Sequence, residues 1–256
     1  MLKDLNVTII QSDIHWENKH KNLENFTDKI NITSLTDVII LPEMFTTGFT
    51  MNTSLAETMD DKTVSWMKLI SKNFYLMGSI IIKENEKFYN RFLSVKSDNI
   101  EYYDKRHLFA FAGENKFYTA GFDRKIVSIN GWRILLQTCY DLRFPVFSRN
   151  KNDYDAIVYI ASWPSKRSQH WKSLLQARSI ENQAYVIGVN RVGIDGLNIE
   201  YSGDSSVYDP LGNLIYQCSN FSDISTITLK GEQIEFVRNT FKFLDDADNF
   251  EIKKNL

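Results

Sequence analysis

Short apolar runs recur along the chain at the length of buried β-strands. In the first run, residues 6–11, apolar and polar positions alternate around Val7 and Ile9. Such alternation is the period expected of a strand with one covered face. Eight further runs of similar character predict strands at 38–41, 75–82, 88–95, 132–138, 156–161, 185–192, 205–208 and 224–229. The pattern therefore spreads nine predicted strands over the whole chain.

Windows with helical periodicity lie between these runs. In the first window Leu23, Phe26 and Ile30 fall near one face, as they would on a helix with one buried side. Four windows predict helices, at 16–30, 60–71, 169–182 and, more weakly, from 231 onward. Because strands alternate with helices and also occur in adjacent pairs, we expect an α/β protein with a mixed sheet, or two stacked sheets, and outer helices. We expect one domain spanning residues 1–256.

Composition narrows the classes of function. The 256 residues are 43% hydrophobic with a formal net charge of −2, which is typical of a globular protein without the basic face of a nucleic-acid binder. No apolar run approaches the roughly 18 residues of a membrane span, and no signal peptide is readable at the N-terminus. Two cysteines, Cys139 and Cys218, are too few for a disulfide framework. We therefore expect a cytoplasmic protein that binds neither nucleic acid nor membrane.

Cys139 is a candidate nucleophile because of where it lies in the pattern. It directly follows the predicted strand 132–138 and precedes Pro145, one of three prolines placed after strand-like runs, where α/β proteins hold ligands. A thiol at a strand-to-helix turn would feel the helix N-terminus, which favours the thiolate. The alternative is a buried core cysteine. Cys218 has no such setting and is expected to be structural.

A thiol nucleophile needs a base and a group that holds the oxyanion. Histidine is the usual base, and both His107 and His170 are candidates. A triad of either one with Cys139 and Asp141 stays open, because geometry rather than sequence order defines a triad. No two histidines have the spacing of metal ligands with a further ligand nearby. The sequence therefore indicates neither a metal site nor an organic cofactor.

Glu43 and Lys105 offer a different base and cation. Glu43 follows the apolar run 38–41, where a partly dry carboxylate could accept a thiol proton. Taken singly, a carboxylate such as Glu43 more often forms an ordinary ion pair. A lysine such as Lys105, in a run of charged residues, more often lies on a solvated face. Together with Cys139 they form an ordered set of carboxylate, ammonium and thiol. The segments read Leu-Pro-Glu-Met-Phe-Thr-Thr-Gly-Phe at 41–49, Asp-Lys-Arg-His-Leu-Phe at 104–109 and Cys-Tyr-Asp-Leu-Arg-Phe-Pro at 139–145.

These segments resemble the three signature segments of the nitrilase (carbon–nitrogen hydrolase) superfamily, whose members carry a Glu, Lys and Cys triad. The matching positions are Glu43, Lys105 and Cys139. The continuations Met-Phe-Thr-Thr-Gly-Phe and Arg-His-Leu-Phe are similar to the ω-amidase branch. Further similar segments cover essentially the whole chain, at 112–115, 162–164, 174–185, 190–193, 201–205 and 243–250.

The resemblance implies a fold and an activity. The fold is a four-layer αββα sandwich with mixed sheets and helices on the outer faces. The activity is conversion of the terminal amide of a small 2-oxo acid, 2-oxoglutaramate or 2-oxosuccinamate, to the dicarboxylic 2-oxo acid and ammonia through a cysteine thioester. The resemblance also implies a homodimer or higher homo-oligomer, with a tail of about residues 240–256 packed at the dimer interface.

From the triad that the resemblance implies, the chemistry of amide hydrolysis leads us to expect a role for each residue. Glu43 accepts the proton of Cys139, whose thiolate attacks the amide carbon. The ammonium of Lys105 and the backbone N–H of Tyr140 hold the oxyanion. Glu114, in the segment Ala-Gly-Glu-Asn, matches a second glutamate of the family and orients Lys105 and the substrate. The alternative for Glu114 is an ordinary surface carboxylate.

Four residues are candidates for substrate binding. Arg143 lies four residues after Cys139, and its guanidinium could pair bidentately with the carboxylate of a 2-oxo acid. The alternative for Arg143 is an ion pair with Asp141 or Glu181. Aromatic residues are candidates for the pocket wall, although they are more often core. They are Trp163, Phe111 and Tyr140.

Rival functions stay open on the sequence. The triad alone does not choose among branches of the superfamily, so an aliphatic amidase, a carbamoylase, a nitrilase or an acyltransferase is an alternative. A different class is a non-catalytic member that serves as an interaction module. The complete set of Glu43, Lys105 and Cys139 argues against that class, because a binding scaffold needs none of the three.

Overall fold

Two β-sheets pack face to face in the computed structural model, which describes residues 2–33 and 35–253. One sheet has the strand order β13-β1-β2-β3-β4-β5 and the other β10-β11-β9-β8-β7-β6, with β12 paired to β11. In chain order the elements are β1 Leu5–Gln11, α1 Lys19–Asn31, β2 Val38–Ile40, α2 Lys62–Ile70, β3 Tyr75–Glu84, β4 Lys87–Lys96, β5 Asn99–Asp104, β6 Ile126–Ile129, β7 Trp132–Thr138, α3 Pro145–Ser148, β8 Ala156–Ala161, α4 Ser168–Asn182, β9 Tyr185–Asn190, β10 Val192–Ile194, β11 Glu200–Tyr208, β12 Leu214–Ser219, β13 Asp223–Leu229 and α5 Gly231–Thr240.

Both sheets are mixed. Strands β1, β2 and β3 run parallel in the first sheet, and β7, β8 and β9 run parallel in the second, while the outer pairings are antiparallel. Parallel strands covered on both faces read as continuous apolar runs. The run of β8, Ala156–Ala161, is buried at every position for this reason.

The main core lies between the two sheets. Val7 and Ile40 of the first sheet pack with Ile134, Leu136 and Val158 of the second in one buried cluster. All five side chains lie on strands whose other face is covered by a further layer. The shared interior therefore makes the two sheets mutually dependent for their stability.

Helices cover the outer faces. Phe26 of α1 packs in a second buried cluster with the first sheet, and Trp171 and Leu175 of α4 pack in a third with the second sheet. Gly188 of β9 permits the close approach of α4, since a Cβ there would lie 2.4 Å from Leu175 Cδ1. The four layers are thus helix, sheet, sheet and helix, which confirms the expected αββα sandwich.

The structure contains strands that the sequence pattern did not predict. β5, β6 and β12 each lie at the edge of a sheet and pair with one neighbour. Edge strands bury less surface, so their apolar periodicity is weak. The predicted run 185–192 is divided between β9, which ends at Asn190, and β10, which begins at Val192.

The first helix begins later than the sequence predicts. Trp16 precedes α1, and the side chain of Asn18 accepts a hydrogen bond from the backbone N–H of Lys21 at the helix start. An asparagine in this position satisfies an N–H that has no partner within the helix. The cap therefore sets the start of the helix, although the apolar periodicity extends further back.

The segment after α5 carries apolar side chains at its surface. Phe243 and Ile252 are exposed, while the backbone oxygen of Phe241 accepts a hydrogen bond from Gln183. Residues 254–256 of the predicted tail lie outside the described residues. Packing of the tail at a dimer interface stays a prediction. In the described part of the chain, no helix is both long and apolar enough to cross a membrane.

Strand ends from both sheets converge on one edge of the sandwich. β2 ends just before Glu43, β5 ends at Asp104, and β7 and β8 end just before Cys139 and Ser162. The backbone N–H of Ser162 donates to the carboxylate of Glu43, which joins the two sheets at this edge. The fold thus brings distant segments of the sequence to one place.

The core between the sheets predicts a large difference between two leucines. Leu136 is fully buried in it, whereas Leu69 lies on α2 with 66% of its surface exposed. Leu136→Ala should lower the free energy of unfolding by about 2–5 kcal/mol, because it leaves a cavity. Leu69→Ala should change it by less than about 0.5 kcal/mol. Urea unfolding of both variants measures this, and similar losses would contradict the assignment of the core.

Candidate active site

A cavity of about 740 Å³ opens at the edge where the strand ends converge. Cys139 and Lys105 both line it, whereas Glu43 and Glu114 lie behind Lys105, fully buried. Other side chains in the wall include Phe49, Met51, Phe109, Phe111, Tyr140, Arg143, Trp163, Lys166, Arg167, Leu197, Glu200 and Tyr201. The thiol and the ammonium therefore face one space of a size that fits a small molecule.

Cys139 opens a tight turn and not an α-helix. The segment Cys139–Arg143 is a five-residue 3₁₀ helix, and Cys139 has a φ of +46°, in the left-handed region. A non-glycine residue in this conformation costs about 1–3 kcal/mol and persists only where its surroundings hold it. Met44, directly after Glu43, is left-handed as well, with a φ of +47°. Both reactive segments thus carry backbone strain.

Asp141 holds the strained turn in place. Its buried carboxylate accepts hydrogen bonds from the backbone N–H groups of Thr138 and His107 and from the hydroxyl of Tyr103, all within 2.9 Å. These donors come from β7, β5 and the loop after β5. The side chain of Asp141 therefore ties the cysteine turn to both sheets, which offsets the strain at Cys139.

Lys105 lies between two buried carboxylates. Its Nζ is 2.9 Å from Oε1 of Glu43, and 3.1 and 2.9 Å from Oε1 and Oε2 of Glu114. All three side chains are shielded from solvent. Burying such charges is costly unless they are paired and hydrogen-bonded, and here each charge has a partner. The structure brings together the carboxylate, ammonium and thiol that the sequence singled out, with Glu114 added.

Two further groups at the site escaped the sequence analysis. The side-chain amide of Asn90, in the middle of β4, donates to Glu43 at 2.8 Å and to Glu114 at 3.3 Å. The backbone N–H of Ser162 donates to Oε2 of Glu43 at 2.8 Å. In the sequence, the polar character of Asn90 within the predicted strand 88–95 was the feature that could have indicated a role at the site. A backbone N–H leaves no signal in a sequence.

The electrostatics of the site keep the thiol protonated. Burial raises the pKa of Cys139 well above its usual range, and the charge of Glu43 adds to this rise, while Lys105 opposes it. The expectation of a thiolate at a helix N-terminus is therefore wrong. Burial in a low-dielectric site disfavours the charged thiolate, and this is the largest of the effects on the thiol. The thiol proton has to be removed by a neighbouring base.

The same surroundings act on Lys105 and Glu114. Burial alone would lower the pKa of Lys105, but the charges of Glu114 and Glu43 outweigh it and raise the pKa above its ordinary value. Lys105 is therefore an ammonium throughout the neutral range. Burial raises the pKa of Glu114, and the charge of Lys105 opposes that rise.

The histidines lie outside the cavity. His107 Nδ1 is 2.7 Å from Oδ1 of Asp141, and its ring stacks on Phe144 at a centroid distance of 3.9 Å. His170 Nδ1 lies 3.2 Å from Nη2 of Arg143. Among the described residues that line the cavity, none is a histidine. The arrangement does not favour a triad of cysteine, histidine and aspartate.

The predicted substrate-binding residues all line the cavity. The guanidinium of Arg143 lies 4.7 Å from the ring of Trp163, which is buried, and Tyr140 is half-buried beside them. Phe111 lies at the mouth with 89% of its surface exposed. Phe111 is thus the most exposed of the four, Arg143 and Tyr140 are partly exposed, and Trp163 is buried.

Arg143 has no carboxylate partner among residues 2–33 and 35–253. Asp141 pairs with His107, and Glu181 pairs with Arg178 at 2.9 Å, so neither forms the ion pair considered from the sequence. The lining also includes Lys166 and Arg167, which the sequence analysis missed, and one carboxylate, Glu200. The cavity therefore has an excess of positive charge.

Across the described residues, no group of three or more histidine, cysteine, aspartate and glutamate side chains is arranged to hold a metal ion. The acidic groups of the site, Glu43 and Glu114, both pair with the ammonium of Lys105. Their arrangement suits acid–base and nucleophilic chemistry.

Comparisons with known proteins place the chain in a family. The family model for carbon–nitrogen hydrolases matches residues 6–239. The chain is 43% identical to the omega-amidase YafV of Escherichia coli (strain K12), over 97% of this chain and 98% of that protein. It is 30% identical to the 2-oxoglutaramate amidase of Bacillus subtilis, over 94% and 96% of the two chains.

Solved structures have the same fold. The crystal structure of a CN-hydrolase superfamily protein from Xanthomonas campestris, with an arsenic adduct in its active site, matches with a TM-score of 0.95 at 37% identity. That match covers 98% of this chain and 99% of the other. The chain belongs to the carbon–nitrogen hydrolase (nitrilase) superfamily, in its ω-amidase branch, and is a hydrolase of carbon–nitrogen bonds in linear amides.

Proposed function

We propose that the protein hydrolyses the terminal amide of a small 2-oxo acid, with 2-oxoglutaramate and 2-oxosuccinamate as its substrates, and releases ammonia. One observation carries the proposal: Cys139 and Arg143, a guanidinium without a carboxylate partner in the described chain, line the same cavity. Arginine binds a carboxylate through two parallel hydrogen bonds. The names of the similar enzymes, an omega-amidase and a 2-oxoglutaramate amidase, point to the same substrate class.

The first half of the reaction forms a thioester. Glu43 accepts the thiol proton, and Sγ of Cys139 attacks the amide carbon to form a tetrahedral intermediate. The C–N bond then breaks, Glu43 returns the proton to the nitrogen, and ammonia leaves. The raised pKa of the thiol requires such a base, because little thiolate forms without one. The buried contact of Glu43 with Lys105 and Ser162 supports its assignment.

The oxyanion of each intermediate is held by Lys105 and the backbone N–H of Tyr140. Lys105 keeps its proton in the neutral range, since two carboxylates raise its pKa. A cation in a dry site stabilises developing negative charge more strongly than it would in water. Glu114 fixes Lys105 through two contacts of 3.1 Å or less and does not itself line the cavity. Glu114 therefore acts on the substrate through Lys105.

The second half of the reaction releases the acid. Water enters where ammonia has left, Glu43 takes one of its protons, and the oxygen attacks the thioester carbon. The C–S bond breaks, the proton of Glu43 returns to the sulfur, and the dicarboxylic 2-oxo acid departs. One carboxylate thus serves as base and acid in both halves, so the reaction uses no histidine.

A panel of substrates tests the reaction directly. We expect purified protein to release ammonia from 2-oxoglutaramate and 2-oxosuccinamate in preference to glutamine, a simple aliphatic amide and a nitrile. Cys139→Ala should abolish this turnover, because it removes the nucleophile. Cys218→Ala is the matched control and should retain activity, since Cys218 does not line the cavity.

Other outcomes of this panel would reject parts of the proposal. Activity confined to the nitrile or the simple amide would contradict the 2-oxo acid substrates. Silence on all five compounds would point to a carbamoyl substrate or a non-catalytic role. Ammonia release that persists in Cys139→Ala would contradict the thioester mechanism.

Arg143 gives a prediction about substrate recognition. Arg143→Lys should raise KM for 2-oxoglutaramate by roughly tenfold or more, because lysine cannot form two parallel hydrogen bonds with a carboxylate. The KM for a neutral aliphatic amide should change by less than about twofold, since that substrate has no carboxylate. Steady-state kinetics with both amides measures the contrast. Equal effects on the two substrates would remove Arg143 from carboxylate recognition.

The histidines give a prediction that separates two mechanisms. His107→Asn combined with His170→Asn should leave kcat within about tenfold of the original value, because neither ring reaches the cavity. Asparagine retains a side-chain donor near Asp141, which limits damage to the turn. A fall in kcat of roughly a thousandfold or more in a folded variant would restore the alternative with a histidine base.

A further inference from the structure

Two buried glutamates contact the same ammonium, yet the proposed reaction uses one of them as a base. Glu43 and Glu114 are both fully buried, and both accept hydrogen bonds from Lys105 and from Asn90. Charge and burial alone do not distinguish them. The distribution of donors over their four oxygen atoms does.

Each carboxylate oxygen of Glu114 accepts two hydrogen bonds. Its Oε1 accepts from Lys105 and Asn90, and its Oε2 accepts from Lys105 and from the backbone N–H of Phe109. A carboxylate oxygen has two lone pairs for hydrogen bonds. A proton could therefore bind to Glu114 only by displacing one of these donors.

The hydrogen-bond donors are distributed unequally over the two carboxylate oxygens of Glu43. Its Oε1 accepts from Asn90 at 2.8 Å and from Lys105 at 2.9 Å, whereas its Oε2 has one donor within residues 2–33 and 35–253, the N–H of Ser162. A hydrogen bond from the same Ser162 N–H also lowers the pKa of the Cys139 thiol, against the larger effect of burial. Oε2 and the sulfur are thus neighbours of one N–H group. One lone pair of Oε2 remains available on this side of the carboxylate.

Asn90 is placed to maintain this difference. Its backbone oxygen accepts from the N–H of Lys105 at 3.0 Å, and the residue lies within the β3–β4 ladder, so the side chain starts from a rigid position. The NH₂ group must face the two glutamates, because the amide oxygen would repel them. Its Oδ1 is buried and has no hydrogen-bond partner among the described residues. An apolar side chain of similar size would avoid that unpaired oxygen, which costs stability.

We propose that Asn90 is a positioning residue of the amidase: its two amide hydrogens hold Oε1 of both glutamates, so that Oε2 of Glu43 receives the thiol proton. This inference rests on the role of Glu43 as base in the proposed function. With Asn90 in place, Lys105 makes one contact to Glu43, and one of its N–H groups can serve both oxygens of Glu114. A third N–H of Lys105 is then left for the oxyanion.

Alkylation of Cys139 by iodoacetamide tests the inference without any amide substrate. In this reaction the S–C bond forms, iodide leaves and the thiol proton passes to the base. The rate is measured against pH by peptide mass spectrometry for the original protein, Asn90→Leu and Asn90→Asp. Glu43→Gln serves as the reference without a base. Asn150→Leu is the matched control, because Asn150 is equally buried and its bonds go to Tyr154, Asn182 and Asp153.

In both Asn90 variants, iodoacetamide should alkylate Cys139 about 10–100-fold more slowly at neutral pH than in the original protein. This decrease is a fraction of the effect of removing a general base. The slowing should extend over the neutral part of the pH profile, since the carboxylate of Glu43 loses a fixed donor at Oε1. In turnover, kcat should fall with KM within about threefold. Asn150→Leu should keep the original profile.

Several results would overturn the inference. One is an unchanged profile in Asn90→Asp, which has the shape of asparagine and remains decisive if Asn90→Leu does not fold. Another is an equal change in Asn150→Leu, which would indicate a general loosening of the fold. An original profile in Glu43→Gln would instead reject the base of the proposed function. Failure on 2-oxo acid amides alone would reject the substrates and leave the alkylation result intact.

Discussion

The ammonium of Lys105, held between the carboxylates of Glu43 and Glu114, is the interaction on which the site depends. The three side chains come from the ends of β2 and β5 and from a short turn after β5, and all are shielded from solvent. Removing Lys105 would leave two buried carboxylates without a counter-charge, which costs about 3–5 kcal/mol. The cluster therefore ties three segments into one geometry, and the cavity wall is built around it.

Backbone strain accompanies the reactive groups. Left-handed conformations at Met44 and Cys139 turn the chain sharply just where the strands end. Asp141 compensates at the cysteine, and Met44 N–H donates to Ser79 Oγ at 2.9 Å. The stable sandwich thus supports local conformations that would not persist in an isolated peptide. This distribution of stability is typical of enzymes, in which a rigid scaffold offsets a strained site.

The Cys139 thiol is buried, and its surroundings favour the protonated thiol over the thiolate. Burial and the charge of Glu43 raise the pKa of Cys139. In the proposed reaction the nucleophile therefore forms as its proton moves to that carboxylate. The transfer redistributes charge inside the cluster without changing its total. Because fixed donors such as Ser162 N–H and Asn90 already surround Glu43, little reorganisation accompanies the step.

The sequence by itself determined the elements that are buried on both faces, because a continuous apolar run such as β8 predicts a strand with little ambiguity. The edge strands β5, β6 and β12 were not predicted, since half-exposed strands carry a weak pattern. Three motifs in order, by their resemblance to a known family, also identified Glu43, Lys105 and Cys139 as one set.

Only the tertiary structure decided how those groups act on one another. Asn90 is an ordinary polar residue in β4 until the fold places Glu43 and Glu114 beside its amide. The local turn at Cys139 suggested a thiolate, but the surrounding layers remove the solvent and reverse that expectation. Burial and long-range hydrogen bonds belong to the whole fold, whereas a sequence records only neighbours along the chain.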